Sequence, residues 1–160
     1  MLTAKKLHFI SAKTDIFRLA LTPLWKGPGT VKVLIAGYDR RPVDHAVETA
    51  CAKYIEGQRP VGADVTVASA KAVEVDVSAR VVLEAGASLT AVEGAFAARL
   101  DAYLADAAFE EFTVYANRVG ALLMGVDGVV DYDGLTLNGA DGNLELDGDS
   151  VPVTGEVRLT

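Results

Sequence analysis

The feature that most constrains this chain is an alternation of apolar and polar residues at 71–84, KAVEVDVSARVVLE. Successive side chains of a β-strand point to opposite faces of a sheet. A period of two therefore predicts one long strand with a buried face and a solvent-exposed face. Two-faced strands of this kind are typical of antiparallel sheets. The predicted buried face comprises Val73, Val75, Val77, Ala79, Val81 and Leu83. The predicted solvent-exposed face comprises Glu74, Asp76, Ser78, Arg80 and Glu84.

A strand–helix–strand unit is predicted upstream, at about residues 24–70. Residues 30–37, TVKVLIAG, form a β-branched and apolar run that is typical of a buried strand. From Pro42 onward, apolar residues recur at spacings of three and four, which predicts an amphipathic helix that ends at Gly57. The sequence VTV at 65–67 indicates a second, short strand.

Downstream of the long strand, the sequence predicts helices and then a region rich in glycine. Ser88 is a favourable N-cap for a helix over 89–104, and a shorter helix is predicted over 115–124. From Gly125 to Thr160 the chain has seven glycines, eight acids and one basic residue, and its Asn-Gly and Asp-Gly pairs predict tight turns. The short strands predicted between these turns are 129–132, 135–137, 144–146 and 156–159.

The predicted fold class is therefore α+β, with two small subdomains. The first is the strand–helix–strand unit at 24–70, and the second, at 71–160, combines the long strand, one or two helices and a glycine-rich antiparallel strand set. Residues 1–23 show no clear period, and the first 26 residues carry five basic residues against one acid. We expect residues 1–23 to form an atypical basic segment at the periphery of the core.

Composition and charge exclude several classes of function. The 160-residue chain has a net charge of −7 and is 51% hydrophobic, so it can bury a core but lacks the basic stripe of a nucleic-acid-binding surface. The N-terminal apolar run, Leu7 to Ala12, is too short for a secretory signal or a membrane span. A single cysteine, Cys51, fits a reducing compartment. We therefore expect a soluble, intracellular protein that binds neither nucleic acid nor membrane.

The sequence GPGTVK at 27–32 invites comparison with a phosphate-binding loop. Such a loop needs a helix directly after the glycines, because the helix N-terminus supplies the N–H groups that bind the anion. Here a predicted strand follows, and no glycine precedes Lys32, so we interpret the stretch as a turn into a strand. The neighbouring Trp25 is either a partner-binding anchor or a core residue beside this turn.

Candidate catalytic residues are few and form no known motif. His8 lies in the basic segment, and His45 lies six residues before Cys51, which places the two on different helix faces. Cys51 occurs within the helical pattern, so a buried small hydrophobe is favoured over a reactive thiol. The carboxylate pairs Glu110–Glu111 and Asp131–Asp133 are interpreted as exposed charge. We assign no catalytic, cofactor-binding or metal-binding residue and expect neither enzyme activity nor a small-molecule substrate.

The acids of the tail suggest a calcium-binding loop. An EF-hand loop needs oxygen ligands at positions 1, 3 and 5, glycine at position 6 and glutamate at position 12. A loop starting at Asp141 places Asn143, Glu145 and Asp147 at odd positions, but position 6 is then a leucine and position 12 is Pro152. Turn chemistry with solvated acids is therefore favoured. A cation-dependent binding module that uses this acidic, glycine-rich tail remains the alternative function.

Four stretches of this sequence resemble, in the same order, the C-terminal part of baseplate J-like phage tail proteins. They are GPGTVKVLIAGYDRRPV, YIEGQRPVGADVTV, AFEEFTVYANRVGALLMGVDGVVDYDGLTLNG and NLELDGDSVPVTGEVRLT. Together they span roughly residues 24–160, and the resemblance leaves out the basic segment before them.

The resemblance implies a structural role. Proteins of this family are wedge components of contractile-tail baseplates in Mu-like phages, prophages and related injection machines. They assemble in multiple copies around the tail hub and contact other wedge proteins, first in the host cytoplasm and then in the virion tail. The family has no known catalytic residues. Its members also carry an N-terminal half that this chain lacks, so a truncated prophage product is one interpretation of the sequence.

Overall fold

The computed structural model describes residues 16–37, 41–59, 61–108 and 110–160. The chain divides into two compact units, the N-terminal unit up to Ala72 and the C-terminal unit from Val73 to Thr160. Within the described ranges, no helix combines the length and apolar character needed to cross a membrane. His8 lies outside these ranges.

The N-terminal unit is a three-stranded sheet with one helix. Its elements are β1 (Ile16–Pro23), β2 (Thr30–Gly37), α1 (His45–Glu56) and β3 (Asp64–Ser69). The strand order is β1–β2–β3, with β1 antiparallel and β3 parallel to β2. Because parallel neighbours need a crossover connection, α1 returns the chain to the edge where β3 begins. Its buried residues Cys51 and Ile55 pack with Val33 and Ile35 of β2 to form the core of this unit.

Helix α1 begins three residues later than the sequence indicated. Asp44 is its N-cap, and the Asp44 carboxylate accepts a hydrogen bond from the Val47 N–H at 2.9 Å. The expectation that Pro42 starts the first turn is wrong, because an aspartate at the N-cap satisfies one of the free N–H groups of the first turn.

Strand β1 is not predicted by the sequence. Residues 16–22 were expected to lie at the periphery, yet Ile16–Pro23 forms an edge strand whose register joins seven residue pairs with β2. The Gly-Pro-Gly stretch is therefore the turn of a β-hairpin that leads into β2, as the turn interpretation of 27–32 required. The preceding basic residues, 1–15, lie outside the described ranges.

The C-terminal unit packs two helices on one face of a three-stranded sheet. Its elements are β4 (Lys71–Leu83), α2 (Leu89–Ala107), β5 (Thr113–Val114), α3 (Ala116–Met124), β6 (Val129–Leu137), β7 (Leu144–Glu145) and β8 (Ser150–Leu159). The main sheet has the order β6–β4–β8, and β5 and β7 form a small antiparallel pair. The predicted α+β class is confirmed.

The alternation in β4 is realised in the structure. Val75, Val77 and Ala79 are buried, whereas Asp76 and Ser78 between them are exposed. The buried side chains pack on apolar residues of α2 and α3, namely Val92, Phe96, Leu100, Leu104, Val119 and Leu123.

The sheet is mixed rather than wholly antiparallel. β6 is antiparallel to β4, but β8 is parallel to it. The Thr160 N–H donates to the Ala79 carbonyl at 3.1 Å and the Val81 N–H donates to the Thr160 carbonyl at 2.8 Å, the hydrogen-bond pattern of a parallel pair. β8 also begins at Ser150, six residues before the predicted start.

Candidate functional site

The candidate catalytic residues of the N-terminal unit do not form a reaction centre. His45 is the exposed first residue of α1, while the Cys51 side chain is fully buried in the core. Burial raises the pKa of the Cys51 thiol to about 11, because the desolvated thiolate is disfavoured. Cys51 therefore acts as a small core hydrophobe, as the helical pattern indicated.

The polar side chains of the acidic tail bond to neighbouring elements and within one turn. The Asn143 Oδ1 accepts from the Ala116 N–H at 3.1 Å, at the first residue of α3, and the Thr113 hydroxyl donates to Glu145 at 2.8 Å. The Asp147 Oδ1 accepts from the Ser150 hydroxyl at 2.6 Å. Across the described ranges, no group of three or more His, Cys, Asp or Glu residues could hold a metal ion.

Glu111 belongs to an ion pair beside a small hollow at the end of α2. The Arg118 guanidinium donates to both Glu111 carboxylate oxygens, at 2.7 and 2.8 Å, and this hydrogen bonding raises the pKa of Arg118. The buried Tyr103 hydroxyl lines the same hollow of about 190 Å³ without a hydrogen bond of normal geometry. The neighbouring Phe112 side chain is 49% exposed. Phe109 lies outside the described ranges.

Asp131 and Asp133 lie on the exposed face of the main sheet. Asp133 forms an ion pair with Arg80 on β4, and both side chains are well exposed. Asp131 accepts from the backbone N–H of Tyr132 at 2.9 Å. The interpretation of this pair as exposed charge matches their positions.

A wider hollow of about 390 Å³ opens on the same face. The Asp76 Oδ1 accepts from the Glu156 N–H at 2.7 Å, and the Asn138 Oδ1 accepts from the Asp76 N–H at 2.7 Å. Glu156 in turn pairs with Arg158 at 2.6 Å, which lowers the pKa of Glu156. These interactions hold β4, β8 and the end of β6 together, so the hollow is a structural junction. The Asn-Gly pair at 138–139 was recognised from sequence only as a turn.

The β-hairpin of the N-terminal unit ends in a cluster of apolar and basic side chains that we call the Trp25 tip. Leu24 is 65% exposed and has a φ of +60°, a left-handed conformation that is uncommon for leucine. The half-buried Trp25 ring has the ammonium groups of Lys26 and Lys32 over it, at 4.3 and 5.2 Å from its centroid. The Trp25 tip comprises these four residues and the fully exposed Val61 of the loop before β3.

Two protein-family models match the chain. Residues 8–69 match the baseplate J-like central domain, and residues 75–160, more than half of the chain, match the baseplate J-like protein C-terminal domain. The resemblance seen in the sequence is therefore confirmed. The expectation that the resemblance begins only at about residue 24 is wrong, since the first match begins at residue 8 and β1 is part of the sheet.

Two curated relatives come from Bacillus subtilis (strain 168). They are the "Phage-like element PBSX protein XkdT" and the "Uncharacterized protein YqbT", each 28% identical over 167 residues. Each alignment covers 98% of this chain and 48% of the relative. The chain thus spans about half the length of the curated relatives it matches.

A solved structure has a similar fold. It is a chain of the cryo-EM structure of the anti-feeding prophage (AFP) baseplate, 6-fold symmetrised, with a TM-score of 0.68 at 15% sequence identity. The match covers 93% of this chain and 36% of that chain. At this identity the likeness concerns the fold alone.

Proposed function

Because the chain belongs to the baseplate J-like family, we propose that it is a non-enzymatic structural component of a contractile-tail baseplate of a phage or prophage. One observation carries this proposal. The central-domain and C-terminal-domain models match consecutively, and each match falls within one compact unit of the structure. We infer that the partners are other wedge proteins of the baseplate and further copies of this chain.

The proposal is consistent with the way the described residues of the C-terminal unit use their polar side chains. The two hollows described above are lined by ion pairs and hydrogen bonds that connect elements of the C-terminal unit. Perturbed pKa values at catalytic sites usually accompany groups that converge on a cleft. Here the thiol whose pKa is raised to about 11, Cys51, is buried in a core with apolar neighbours.

The function is tested by following the chain into tail particles. We expect an epitope inserted after Gly142 to be tolerated, because that turn is exposed and a Cβ there would meet nothing within 4 Å. The C-terminus is avoided as a tagging site because Thr160 forms backbone hydrogen bonds with β4. When the tagged chain is co-expressed with the products of neighbouring tail genes, we expect it to sediment with tail particles and to be labelled at one end by immunogold. Assembly of complete tails while the tagged, folded chain stays in the low-mass fractions would contradict the proposal.

A further inference from the structure

We propose that copies of this chain associate head to tail, with the Trp25 tip of one copy docking on an exposed patch of valines and acids in the C-terminal unit of the next. This inference rests on the proposed assembly function and names the surfaces that self-association uses. The patch, called the valine–acid patch, comprises Val82, Glu84, Asp127, Val130 and Asp131.

Backbone hydrogen bonds fix the conformation of the Trp25 tip. The Leu24 N–H donates to the Thr30 carbonyl at 2.8 Å, and the Leu24 carbonyl accepts from the Gly27 N–H at 3.1 Å, which fixes the left-handed conformation. The Val61 loop adjoins the hairpin, since the Asp64 N–H donates to the Gly29 carbonyl at 2.9 Å. A non-glycine residue in this conformation costs about 1–3 kcal/mol, and such strain concentrates at functional positions. Here it presents a leucine to solvent beside two ammonium groups.

A β-bulge creates the valine–acid patch. Val82 pairs with Asp131 and Leu83 pairs with Val129, so β6 has one extra residue, Val130, at this point. Val129 and Tyr132 both pack on the core, and the two residues between them are exposed. Bulges re-aim side chains in this way. The result is that Val130, 53% exposed, and Val82, 57% exposed, lie on the outer face with the Asp131 carboxylate.

Two further carboxylates border these valines. The Glu84 N–H donates to the Gly128 carbonyl at 2.9 Å, which brings exposed Glu84 close to exposed Asp127. The neighbouring cation, Arg80, forms an ion pair with Asp133. The valine–acid patch is therefore apolar at its centre and anionic around it.

The two surfaces are complementary in chemistry and in sign of charge. The Trp25 tip offers apolar side chains with two lysines, and the patch offers two exposed valines with three carboxylates. The same asymmetry runs through the chain, since the first 26 residues carry a net charge of +4 and residues 125–160 have eight acids against one base. Complementary charge around an apolar contact favours specific association. A second copy supplies the required partner surface without any further component.

A contact between two different surfaces of the same chain is a heterologous interface. Such interfaces are not closed by two-fold symmetry, so each dimer retains one free Trp25 tip and one free valine–acid patch. Further copies then add at both ends, which produces rings or open chains. This property separates the proposal from a two-fold symmetric dimer.

Two variants test it without disturbing the core. The tip variant, Leu24→Gly with Lys26→Glu, removes an exposed side chain at a φ that glycine adopts freely. The patch variant is Val130→Thr with Asp127→Lys. The matched control, Met124→Gln with Lys53→Glu, makes the same kinds of change at exposed positions outside both surfaces. Thermal melts establish that all three variants fold.

Analytical ultracentrifugation over a concentration series gives the readout. We expect the unmodified chain and the control to increase in mass beyond the dimer, and each of the other two variants to associate about tenfold more weakly, which corresponds to about 1.4 kcal/mol. A mixture of the tip variant and the patch variant is expected to stop at a dimer, because only one intact contact can form between them. Added salt should weaken the association of the unmodified chain.

Three results would overturn the inference: an unmodified chain that is monomeric at every concentration, a tip variant that associates like the control, or a mixture that grows beyond the dimer. A Leu24→Cys, Val130→Cys chain adds a direct test by oxidation. Cross-linked ladders support the contact between copies, whereas a cross-link within one monomer contradicts it. If the chain enters tail particles but fails these tests, the inference is wrong while the proposed function stands.

Discussion

Asn138 pairs with both backbone groups of Asp76. Its side-chain Oδ1 accepts from the Asp76 N–H at 2.7 Å, and its own N–H donates to the Asp76 carbonyl at 2.9 Å. The Asn138 Nδ2 also donates to the Glu74 carbonyl at 3.1 Å. A turn residue thus extends the ladder between β4 and β6 by one more pair, and it does so in a left-handed conformation with a φ of +51°.

Substitutions at Asn138 separate the two requirements of this position. Asn138→Gly removes the side-chain hydrogen bonds but adopts the positive φ freely, so we expect the free energy of unfolding to fall by about 1–3 kcal/mol. Asn138→Ala removes the same hydrogen bonds and must also adopt the unfavourable positive φ. We therefore expect its free energy of unfolding to be about 1 kcal/mol lower than that of Asn138→Gly. Urea denaturation measures both values. Equal losses would show that the backbone relaxes out of the left-handed conformation.

Glycines in two helices are expected to respond oppositely to alanine. A Cβ on Gly120 of α3 would lie 2.0 Å from the Tyr132 hydroxyl oxygen, whereas a Cβ on Gly94 of α2 meets nothing within 4 Å. Glycine inside a helix costs about 0.5–1 kcal/mol relative to alanine, so Gly94→Ala should raise the melting temperature. Gly120→Ala should lower the melting temperature, because α3 must move away from β6. The expected loss in free energy of unfolding is about 1–3 kcal/mol. A stabilising Gly120→Ala would contradict the close packing seen here.

The parts of the fold that the sequence predicts correctly are those encoded by neighbouring residues. The alternation in β4 and the three-and-four spacing in α2 report burial directly, because each residue's environment follows from its position in the period. The sequence does not predict β1, although Phe17, Leu19 and Leu21 alternate with other residues, because the stretch before them is basic and irregular.

Strand β8 was predicted too short for a related reason. Pro152 and Gly155 are unfavourable inside a strand, so the sequence indicates a strand only after them. In the structure β8 lies at the edge of its sheet, where proline is tolerated. A Cβ on Gly155 would clash with the Asp76 Oδ1 and lie 3.1 Å from the backbone of Val75, so the close approach of β8 to β4 favours a glycine there. Such a requirement depends on a residue far away in sequence.

The valine–acid patch and the Trp25 tip also depend on backbone pairings, one between distant strands and one within a turn. The bulge at Val130 is defined by the register between β4 and β6, and the Leu24 conformation by bonds to Gly27 and Thr30. Neither has a local sequence signature. Trp25 stands out in the sequence, but its neighbours there do not decide between a core residue and a partner anchor.

The acidic tail should not depend on calcium. Asp141→Asn with Asp147→Asn is expected to change the free energy of unfolding by less than about 1 kcal/mol, because both side chains are exposed and an amide oxygen can still accept the hydrogen bonds of Asp147. Calcium is expected to leave the melting temperature of the unmodified chain unchanged. A calcium-dependent rise that these substitutions abolish would instead favour the cation-dependent binding module.

The two faces of β4 allow a matched pair of substitutions. Val77 is fully buried, so Val77→Asp places an unpaired charge in the core and is expected to leave the chain unfolded or insoluble. Ser78 is exposed on the opposite face, and Ser78→Asp should be mild. Circular dichroism of the soluble fraction distinguishes them. Similar behaviour of the two variants would mean that the face assignment is wrong.

The contribution of β1 can be measured through Cys51. A chain that starts at Leu24 loses β1 and exposes the edge of β2, whose Val33 and Ile35 pack directly on Cys51 in the core. Because the Cys51 thiol is fully buried and its pKa is raised to about 11, a thiol reagent should label the native unit slowly at neutral pH. We expect the shortened chain to be labelled rapidly, or to be insoluble, because the weakened unit opens more often.

A chain that starts at Ile16 is the control for this deletion. It removes the basic residues that the sequence places outside the core and keeps all seven residue pairs between β1 and β2. Slow labelling of Cys51 is therefore expected to persist in it. If the chain from Leu24 is soluble and labels as slowly as the one from Ile16, β1 is dispensable and the peripheral role first expected of residues 16–22 is restored.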